Sequence, residues 1–216
     1  QYLAPSELVA ERLLQYGITK EKITLTGFPL PEEFTNKEGF SQTKEDLRRR
    51  LVRLDQKSKY RTKYADVVRA YLGSVPRYHD GAVVITFAVG GAGAQQALGK
   101  QIIQYLAPLI KEGKVKLCMV AATHKDAAIG FSKTAIENGL SEKEVEVVFC
   151  KTKDEYFKRF TEVLRKTDIL WTKPSELCFY AALGIPLLLS PPIGSQEVQN
   201  QKWLTRLGSA IPQLKV

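Results

Sequence analysis

The sequence predicts an α/β protein with a doubly wound, mostly parallel β-sheet and a basic helical insert. Two observations favour this class. Between residues 82 and 192, short apolar segments alternate with segments of helical periodicity, which is the pattern of successive right-handed βαβ units. The first apolar segment, AVVITFAV at 82–89, is rich in β-branched residues and has no charged residue, as expected of a parallel strand covered on both faces.

The segment before this alternation predicts one helix and one strand. PSELVAERLLQYGI, at 5–18, begins with a Pro-Ser start signal, carries apolar residues at helical spacing and ends near Gly17. KITLTGFPLP, at 22–31, predicts a strand that runs into a turn. Gly27 can take a positive φ there, and Pro29 cannot continue the hydrogen-bond ladder.

Residues 36–80 form a basic segment, with twelve Lys or Arg against six Asp or Glu. KEDLRRRLVRL (44–54) and YADVVRAYLG (64–73) have helical spacing, and they flank a polar loop, DQKSKYRTK (55–63). Two interpretations stay open: a solvated helical insertion, or contact with anionic lipid or another acidic partner. In the second, the arginine run Arg48, Arg49, Arg50 and Arg53 is the expected contact surface.

The rest of the chain predicts five core strands and the helices between them. Each apolar run of strand length is followed by a segment of helical spacing, so the sheet should carry helices on both faces. The expected strands are 82–89, 115–123, 145–150, 168–172 and 186–192, and the expected helices are 95–110, 127–139, 153–166 and 176–184.

Composition narrows the partners. A formal net charge of +9 favours polyanions, which could be phosphorylated ligands, anionic lipid or nucleic acid. Nucleic acid ranks last, because the aromatic residues do not alternate with basic ones on a recognisable platform. No apolar run approaches the ~18 residues of a membrane span. We therefore expect a cytoplasmic protein that can lie at the membrane periphery.

The cysteines and histidines predict neither disulfides nor a metal site. Cys118, Cys150 and Cys178 are widely spaced in apolar stretches, which is typical of buried thiols in a reducing compartment. His79 and His124 have no partner at metal-ligand spacing. No metal and no cofactor are expected.

Loops that leave the carboxyl ends of parallel strands converge on one edge of the sheet, where ligands bind. GGAGAQ, after the first core strand, is neither a dinucleotide fingerprint nor a P-loop, but its glycines let backbone N–H groups at a helix start approach an anion. A tight turn with no ligand is the alternative. The candidate binding residues of this loop and the next two are Gly90, Gly91, Gly93, Ala94, Thr123, His124, Phe149 and Cys150.

The loops after the fourth and fifth core strands carry the other candidates. In TKPSE, Lys173 could meet a phosphate, Pro174 suits a first turn, Ser175 could cap the helix, and Glu176 could accept bonds from sugar hydroxyls. Simple helix capping is the alternative. In GSQEVQN, polar groups that suit several sugar hydroxyls fall on successive turns of a predicted helix start; they are Gln196, Glu197 and Asn200.

These motifs carry a family resemblance. LTGFP, then the apolar strand with GGAGA, then TDILWTKPSELCFYAALGIPLLLSPPIGSQEVQN together resemble the C-terminal, nucleotide-sugar-binding half of GT-B glycosyltransferases, which is Rossmann-like. The most similar groups by pattern are the N-acetylglucosaminyltransferase of the peptidoglycan lipid intermediate and the monogalactosyldiacylglycerol synthases. The resemblance implies that the glycine loop holds the donor diphosphate, that backbone groups of Phe149 and Cys150 meet the uracil, and that Gln196 and Glu197 contact the donor sugar.

The resemblance also implies a domain plan and a missing half. Residues 1–35 would be the end of the acceptor half and the interdomain crossing, 36–80 a basic helical insertion, and 81–216 the donor-binding domain, truncated at its C-terminus. The N-terminal acceptor domain, in which the family largely keeps its catalytic base, is expected to be missing. No catalytic residue is therefore assigned, and the fragment alone is expected to be inactive.

Two departures from the family pattern keep alternatives open. Phe179 stands where the family has a ribose-binding Glu, so Glu176 takes that role in our assignment, and the glycine loop is one residue shorter than usual. The expected function is transfer of a hexose-type sugar from a UDP-sugar to a lipid or cell-envelope acceptor. The alternatives are a non-catalytic module that binds nucleotide or, through residues 44–69, an anionic membrane surface, and an enzyme like the UDP-sugar 2-epimerases.

Overall fold

A computed structural model of the 216-residue chain describes residues 1–27, 34, 40–77, 81–89, 95–175 and 177–213, without the side chains of residues 177 and 178. The chain divides into two compact units, Gln1–Phe40 and Ser41–Val216. The predicted sheet lies entirely in the second unit. Residues 28–31, the end of the predicted turn, lie outside the described ranges.

The first unit holds a two-stranded parallel sheet of β1 (Tyr2–Ala4) and β2 (Ile23–Leu25), connected through helix α1 (Glu7–Gln15) and a 3₁₀ turn (Lys20–Lys22). Helix α1 is the helix predicted from the sequence. The Ser6 hydroxyl accepts a hydrogen bond from the Val9 N–H at 3.4 Å, which caps the helix as the start signal predicted. Gly27 has φ +69°, as the predicted turn requires.

The second unit is built on six parallel strands in the order β5-β4-β3-β6-β7-β8. The predicted fold class is therefore confirmed. From the central strand β3 the chain first adds strands on one side and then crosses β3 to add strands on the other side, which makes the sheet doubly wound. The strands are β3 (Val83–Ala88), β4 (Val115–Ala122), β5 (Val145–Phe149), β6 (Ile169–Thr172), β7 (Leu187–Leu189) and β8 (Ala210–Pro212).

Helices cover both faces of this sheet. Helices α5 and α6 pack on the face that carries Phe87 and Met119, where Phe87 and Phe131 meet edge to face with ring centres 6.4 Å apart. The opposite face carries Thr86 and faces helix α7. The helices that connect the strands are α5 (Gln96–Lys111), α6 (Lys125–Glu137), α7 (Lys153–Lys166), α8 (Leu177–Ala182) and α9 (Ser195–Arg206).

The basic segment is helical, with α2 (Ser41–Leu54), α3 (Lys59–Lys63) and α4 (Ala65–Leu72). The prediction of a loop throughout 55–63 was wrong. The Asp55 carboxylate accepts hydrogen bonds from the N–H groups of Tyr60 and Arg61 at 3.1 and 2.9 Å, and it thereby starts α3 in a stretch without apolar periodicity.

The arginines of α2 attach it to the sheet instead of facing outward. Arg50 is only 3% exposed, and its guanidinium donates to the carbonyl oxygens of Thr167, Leu183 and Gly184 at 3.0, 3.2 and 3.2 Å. Burial lowers the pKa of Arg50 to about 10, so the group remains charged at neutral pH. Arg53 pairs with the buried Asp168 at 3.1 Å. The expectation that this arginine run forms a lipid-contact surface is therefore wrong for Arg50 and Arg53.

Candidate ligand-binding site

The candidate site lies at the carboxyl edge of the six-stranded sheet. The strand order reverses between the neighbours β3 and β6, and in doubly wound sheets the crevice at that point is where ligands bind. The glycine loop follows β3, and Lys173 follows β6 directly. Gly90, Gly91, Gly93, Ala94 and Glu176 lie outside the described residues, so their roles stay predictions.

Two loops that were predicted separately are joined by side chains. The Lys173 ammonium lies 3.7 Å from a carboxylate oxygen of Glu197, and both side chains are largely buried. Asn200, one turn further along α9, donates from its amide to the Pro174 carbonyl oxygen at 3.0 Å. The loop after β6 and the start of α9 therefore form one structure, as expected if both contact the same ligand.

Other hydrogen bonds in these two loops fix the backbone. The other carboxylate oxygen of Glu197 accepts the Ile193 N–H at 2.8 Å, which holds the loop that enters α9. The Ser175 N–H donates to the Lys173 carbonyl oxygen at 2.8 Å, so this loop turns tightly. The side chains of Ser175 and Gln196 are exposed. These two can meet a ligand without breaking a packed contact.

The candidates on the far side of β3 follow β4 and β5. Ala122 ends β4 with φ +50°, a left-handed conformation that is uncommon for residues other than glycine and often marks functional sites. The exposed Thr123 and half-buried His124 come next, at the start of α6. Cys150 is buried, and its N–H donates to the Ala122 carbonyl oxygen at 2.9 Å. This N–H is therefore engaged within the sheet, and the uracil contact expected from Cys150 is limited to its carbonyl oxygen.

Comparisons with known proteins fit this arrangement. A family described as a domain of unknown function (DUF6938) matches residues 75–155. A processive diacylglycerol beta-glucosyltransferase of Bacillus subtilis (strain 168) is 30% identical over 122 residues, which are 56% of this chain and 29% of that protein. The resemblance to glycosyltransferases is confirmed.

Two solved structures are similar to this chain over about half of their own length. A glycosyltransferase from Rickettsia africae ESF-5 has 12% identity and a TM-score of 0.39, over 95% of this chain and 52% of that one. A UDP-GlcNAc 2-epimerase from Methanocaldococcus jannaschii, in complex with UDP-GlcNAc and UDP, has 14% identity and a TM-score of 0.39, over 98% of this chain and 50% of that one. The chain thus spans about half of each solved chain and under a third of the curated relative.

The sequence did not predict one polar contact at the carboxyl edge of the sheet. Gln95, the residue after the glycine loop, is buried, and its amide donates to the Ser190 hydroxyl at 2.8 Å. Ser190 follows β7 directly, and its hydroxyl lies 3.2 Å from the Thr172 carbonyl oxygen. The contact fixes the start of α5 against the strands beside β3. Its only signal in the sequence is a serine at the end of an apolar strand, SPP after PLLL.

The described residues contain neither a group of metal ligands nor a membrane-spanning helix. Among those residues, no group of three or more His, Cys, Asp or Glu side chains is arranged to hold a metal ion. No helix in the same ranges is both long and apolar enough to cross a bilayer.

Proposed function

We propose that this chain binds a UDP-sugar at the carboxyl edge of its sheet, as the donor-binding part of a glycosyltransferase that transfers a hexose to a lipid acceptor. The observation that supports this most is the joined group of Lys173, Glu197 and Asn200 beside the strand-order reversal. The lipid acceptor follows from the B. subtilis relative, whose name specifies diacylglycerol.

In this proposal the chain binds the donor and stabilises its leaving group. The bond between the sugar C1 and the phosphate oxygen breaks, UDP leaves, and the acceptor oxygen bonds to C1 while its proton passes to a base outside this chain. Lys173 and N–H groups at the helix start after the glycine loop stabilise the charge that develops on the diphosphate. The Glu197 carboxylate accepts hydrogen bonds from sugar hydroxyls, and the Gln196 amide can accept hydrogen bonds from them or donate hydrogen bonds to them. We expect this without a required metal.

Calorimetric titration with UDP, against ADP, GDP and dTDP, tests the donor site. We expect saturable binding that selects UDP. Lys173→Ala should weaken it about tenfold or more, because a charge-assisted hydrogen bond contributes about 1.5–3 kcal/mol. Lys202→Ala, at an exposed lysine of the same helix as Glu197, is the control and should leave the affinity unchanged.

Three results would separate this proposal from its alternatives. Equal affinity of the wild type and Lys173→Ala, or equal binding of UDP and ADP, would refute the donor assignment. A donor epimerised at C2 would indicate an epimerase instead of a transferase. Binding of UDP without any transfer, even when an acceptor domain is supplied, would favour the non-catalytic module. Phe179, at the position of the family's ribose-binding Glu, agrees with that alternative. Its side chain is half-buried and packs edge to face on Tyr180, with ring centres 5.3 Å apart.

We also propose that the outer face of α3 and α4 docks on an anionic membrane, where a lipid acceptor would lie. Tyr60, Tyr64, Val67 and Tyr71 recur at helical spacing and are all exposed, Tyr60 by 51% and Tyr71 by 72%. The Tyr60 and Tyr64 ring centres are 4.7 Å apart, so these two rings are in contact. We call the four exposed side chains the stripe. Tyrosine favours the membrane interface, because its ring is apolar and its hydroxyl stays wet.

Exposed cations accompany this stripe. They are Lys57, Lys59, Lys63 and Arg69, and the Lys63 ammonium lies 5.2 Å from the Tyr64 ring centre. Arg61, in contrast, is held inside the segment by Asp55 and by the Pro76 carbonyl oxygen, at 3.3 and 2.7 Å. Arg61 therefore holds helix α3 to Asp55 and Pro76, while the side chains of the stripe remain exposed.

Sedimentation with vesicles tests this docking. Lys59→Glu/Lys63→Glu should weaken binding to vesicles rich in phosphatidylglycerol by at least about thirtyfold, because each lost cation near an anionic surface costs about 1 kcal/mol and the two added carboxylates are repelled by it. The control is Lys100→Glu/Lys133→Glu, an equal charge change on α5 and α6. Equal loss in both variants would show that net charge alone acts, and unchanged binding of the first variant would refute the docking surface.

A further inference from the structure

A basic cavity of about 350 Å³ opens at the edge of the sheet opposite the Lys173 loop. It is lined by the amino-terminal ends of β3, β4 and β5 and by side chains of α2 and α7. Because all of these strands are parallel, their amino-terminal ends share one edge, and the cavity and the candidate donor site lie at opposite edges.

The charge of the lining is strongly unbalanced. Three carboxylates line the cavity, those of Glu144, Glu146 and Glu162, against six cations, so the formal balance is 6 − 3 = +3. The cations are Arg49, Arg53, Lys116, Lys143, Arg159 and Lys166.

Two of the three carboxylates are already neutralised by one arginine. Arg159 bridges Glu146 at 2.9 Å and Glu162 at 2.7 Å. Glu144 accepts the N–H and hydroxyl of Ser141 at 2.7 and 2.6 Å. Within the part of the chain that the structure describes, no carboxylate lies within 4.0 Å of the ammonium groups of the three lining lysines, Lys116, Lys143 and Lys166.

The two arginines of α2 that line the cavity, Arg49 and Arg53, have buried hydrogen-bond donors. The Arg53 guanidinium is fixed by Asp168 at 3.1 Å, and that of Arg49 by Asp46 at 3.3 Å. The Nε atoms of Arg49 and Arg53 are buried, and neither has a hydrogen-bond partner among the described residues. Buried donors without acceptors are uncommon and are typical of places that receive an ion or ligand. The Asp168 Oδ1 atom is likewise buried without a hydrogen-bond partner among the described residues.

The remaining lining is uncharged and mostly apolar. Val84, Leu117 and Val163 line the cavity beside Cys118. Burial raises the pKa of the Cys118 thiol to about 12, so this group adds no negative charge at neutral pH. The volume lies in the range of small-molecule sites, about 300–1,000 Å³.

We propose that this cavity binds a small phosphorylated compound, independently of the donor site. The unpaired lysines meet the phosphate oxygens, and the apolar part of the lining accepts the rest of the molecule.

Titration of the chain with pyrophosphate, and separately with orthophosphate, tests this site at low ionic strength. We expect saturable binding of pyrophosphate, weaker binding of orthophosphate, and loss of affinity with added salt. Lys116→Glu/Lys143→Glu changes the lining charge from +3 to −1 (four units lower) and should weaken pyrophosphate binding at least about tenfold. Both lysines are exposed, so the variant should keep its fold, which circular dichroism checks.

The control variants locate the binding. Lys100→Glu/Lys133→Glu, an equal charge change on the opposite face of the sheet, should leave pyrophosphate affinity unchanged. Lys173→Ala separates the cavity from the donor site: loss of all pyrophosphate binding in that variant would place the anion at the carboxyl edge and overturn the proposal. Absence of saturable binding, or equal affinity of Lys116→Glu/Lys143→Glu and wild type, would overturn it as well. The titrations are repeated with UDP at saturation, which occupies the donor site if it binds a diphosphate; pyrophosphate binding at the cavity should then be unchanged.

Discussion

Arg50→Met should lower the free energy of unfolding by about 3 kcal/mol or more, because three carbonyl acceptors lose their donor and each buried polar group left unsatisfied costs about 1–3 kcal/mol. Methionine fills a similar volume but donates no hydrogen bond. The carbonyl oxygens of Thr167, Leu183 and Gly184 would lose their donor, and Arg50 is nearly fully buried among them. Urea unfolding followed by circular dichroism measures the change.

The control for this variant lies on the same helix. Lys44→Met makes a comparable change of charge and shape at a residue of α2 that is not fully buried, and it should alter the unfolding free energy by no more than about 0.5 kcal/mol. If Arg50→Met unfolds at the same urea concentration as the wild type, α2 is not held to the sheet in the way described above.

Phe131→Ala should also cost about 3–5 kcal/mol, because it removes a large, fully buried ring from the core between α5, α6 and the sheet. The ring contacts Phe87 edge to face and lies against the backbone of Gly99, where an added Cβ would come within 2.7 Å of a ring carbon. The core is therefore close-packed around this side chain, and little relaxation can fill the space. Urea unfolding again reports the change.

The control for Phe131→Ala is the same substitution at an exposed phenylalanine. Phe157→Ala, at an exposed ring of α7, should change the unfolding free energy by about 0.5 kcal/mol or less. A second check uses Gly99: Gly99→Ala alone should be destabilising, and Phe131→Leu should partly relieve it, so that the double variant loses less than the two single losses added together. Simple additivity would show that the two residues do not touch.

The sequence predicted the core strands and helices well, because their signals are local. AVVITFAV and the runs after it read as buried strands from their own composition, and the structure has β3 to β7 there. The strands β1 and β8 were not predicted, because each has only three residues and, unlike β7, does not lie in a longer apolar run. Helix α3 depends on a cap from Asp55, which apolar spacing does not register.

The arginines of α2 show where sequence reasoning fails. A run of charge predicts a surface, but Arg50 finds its acceptors on residues 117 to 134 positions away along the chain, which no local pattern reveals. The candidate site was easier, since parallel strands send their following loops to one edge and so place Lys173 near α9. The Gln95–Ser190 contact was missed because two neutral side chains carry no charge signal.

The central position of β3 has a consequence for synthesis. Its residue Ile85 pairs with Ile169, which is 169 − 85 = 84 positions later. At translation rates of about 5–20 residues per second, one side of this apolar strand stays unpaired for about 4–17 s after it is made. An open strand edge is a template for pairing with another chain. We therefore expect refolding in vitro to give a higher yield at low protein concentration, where chains with an unpaired β3 meet less often.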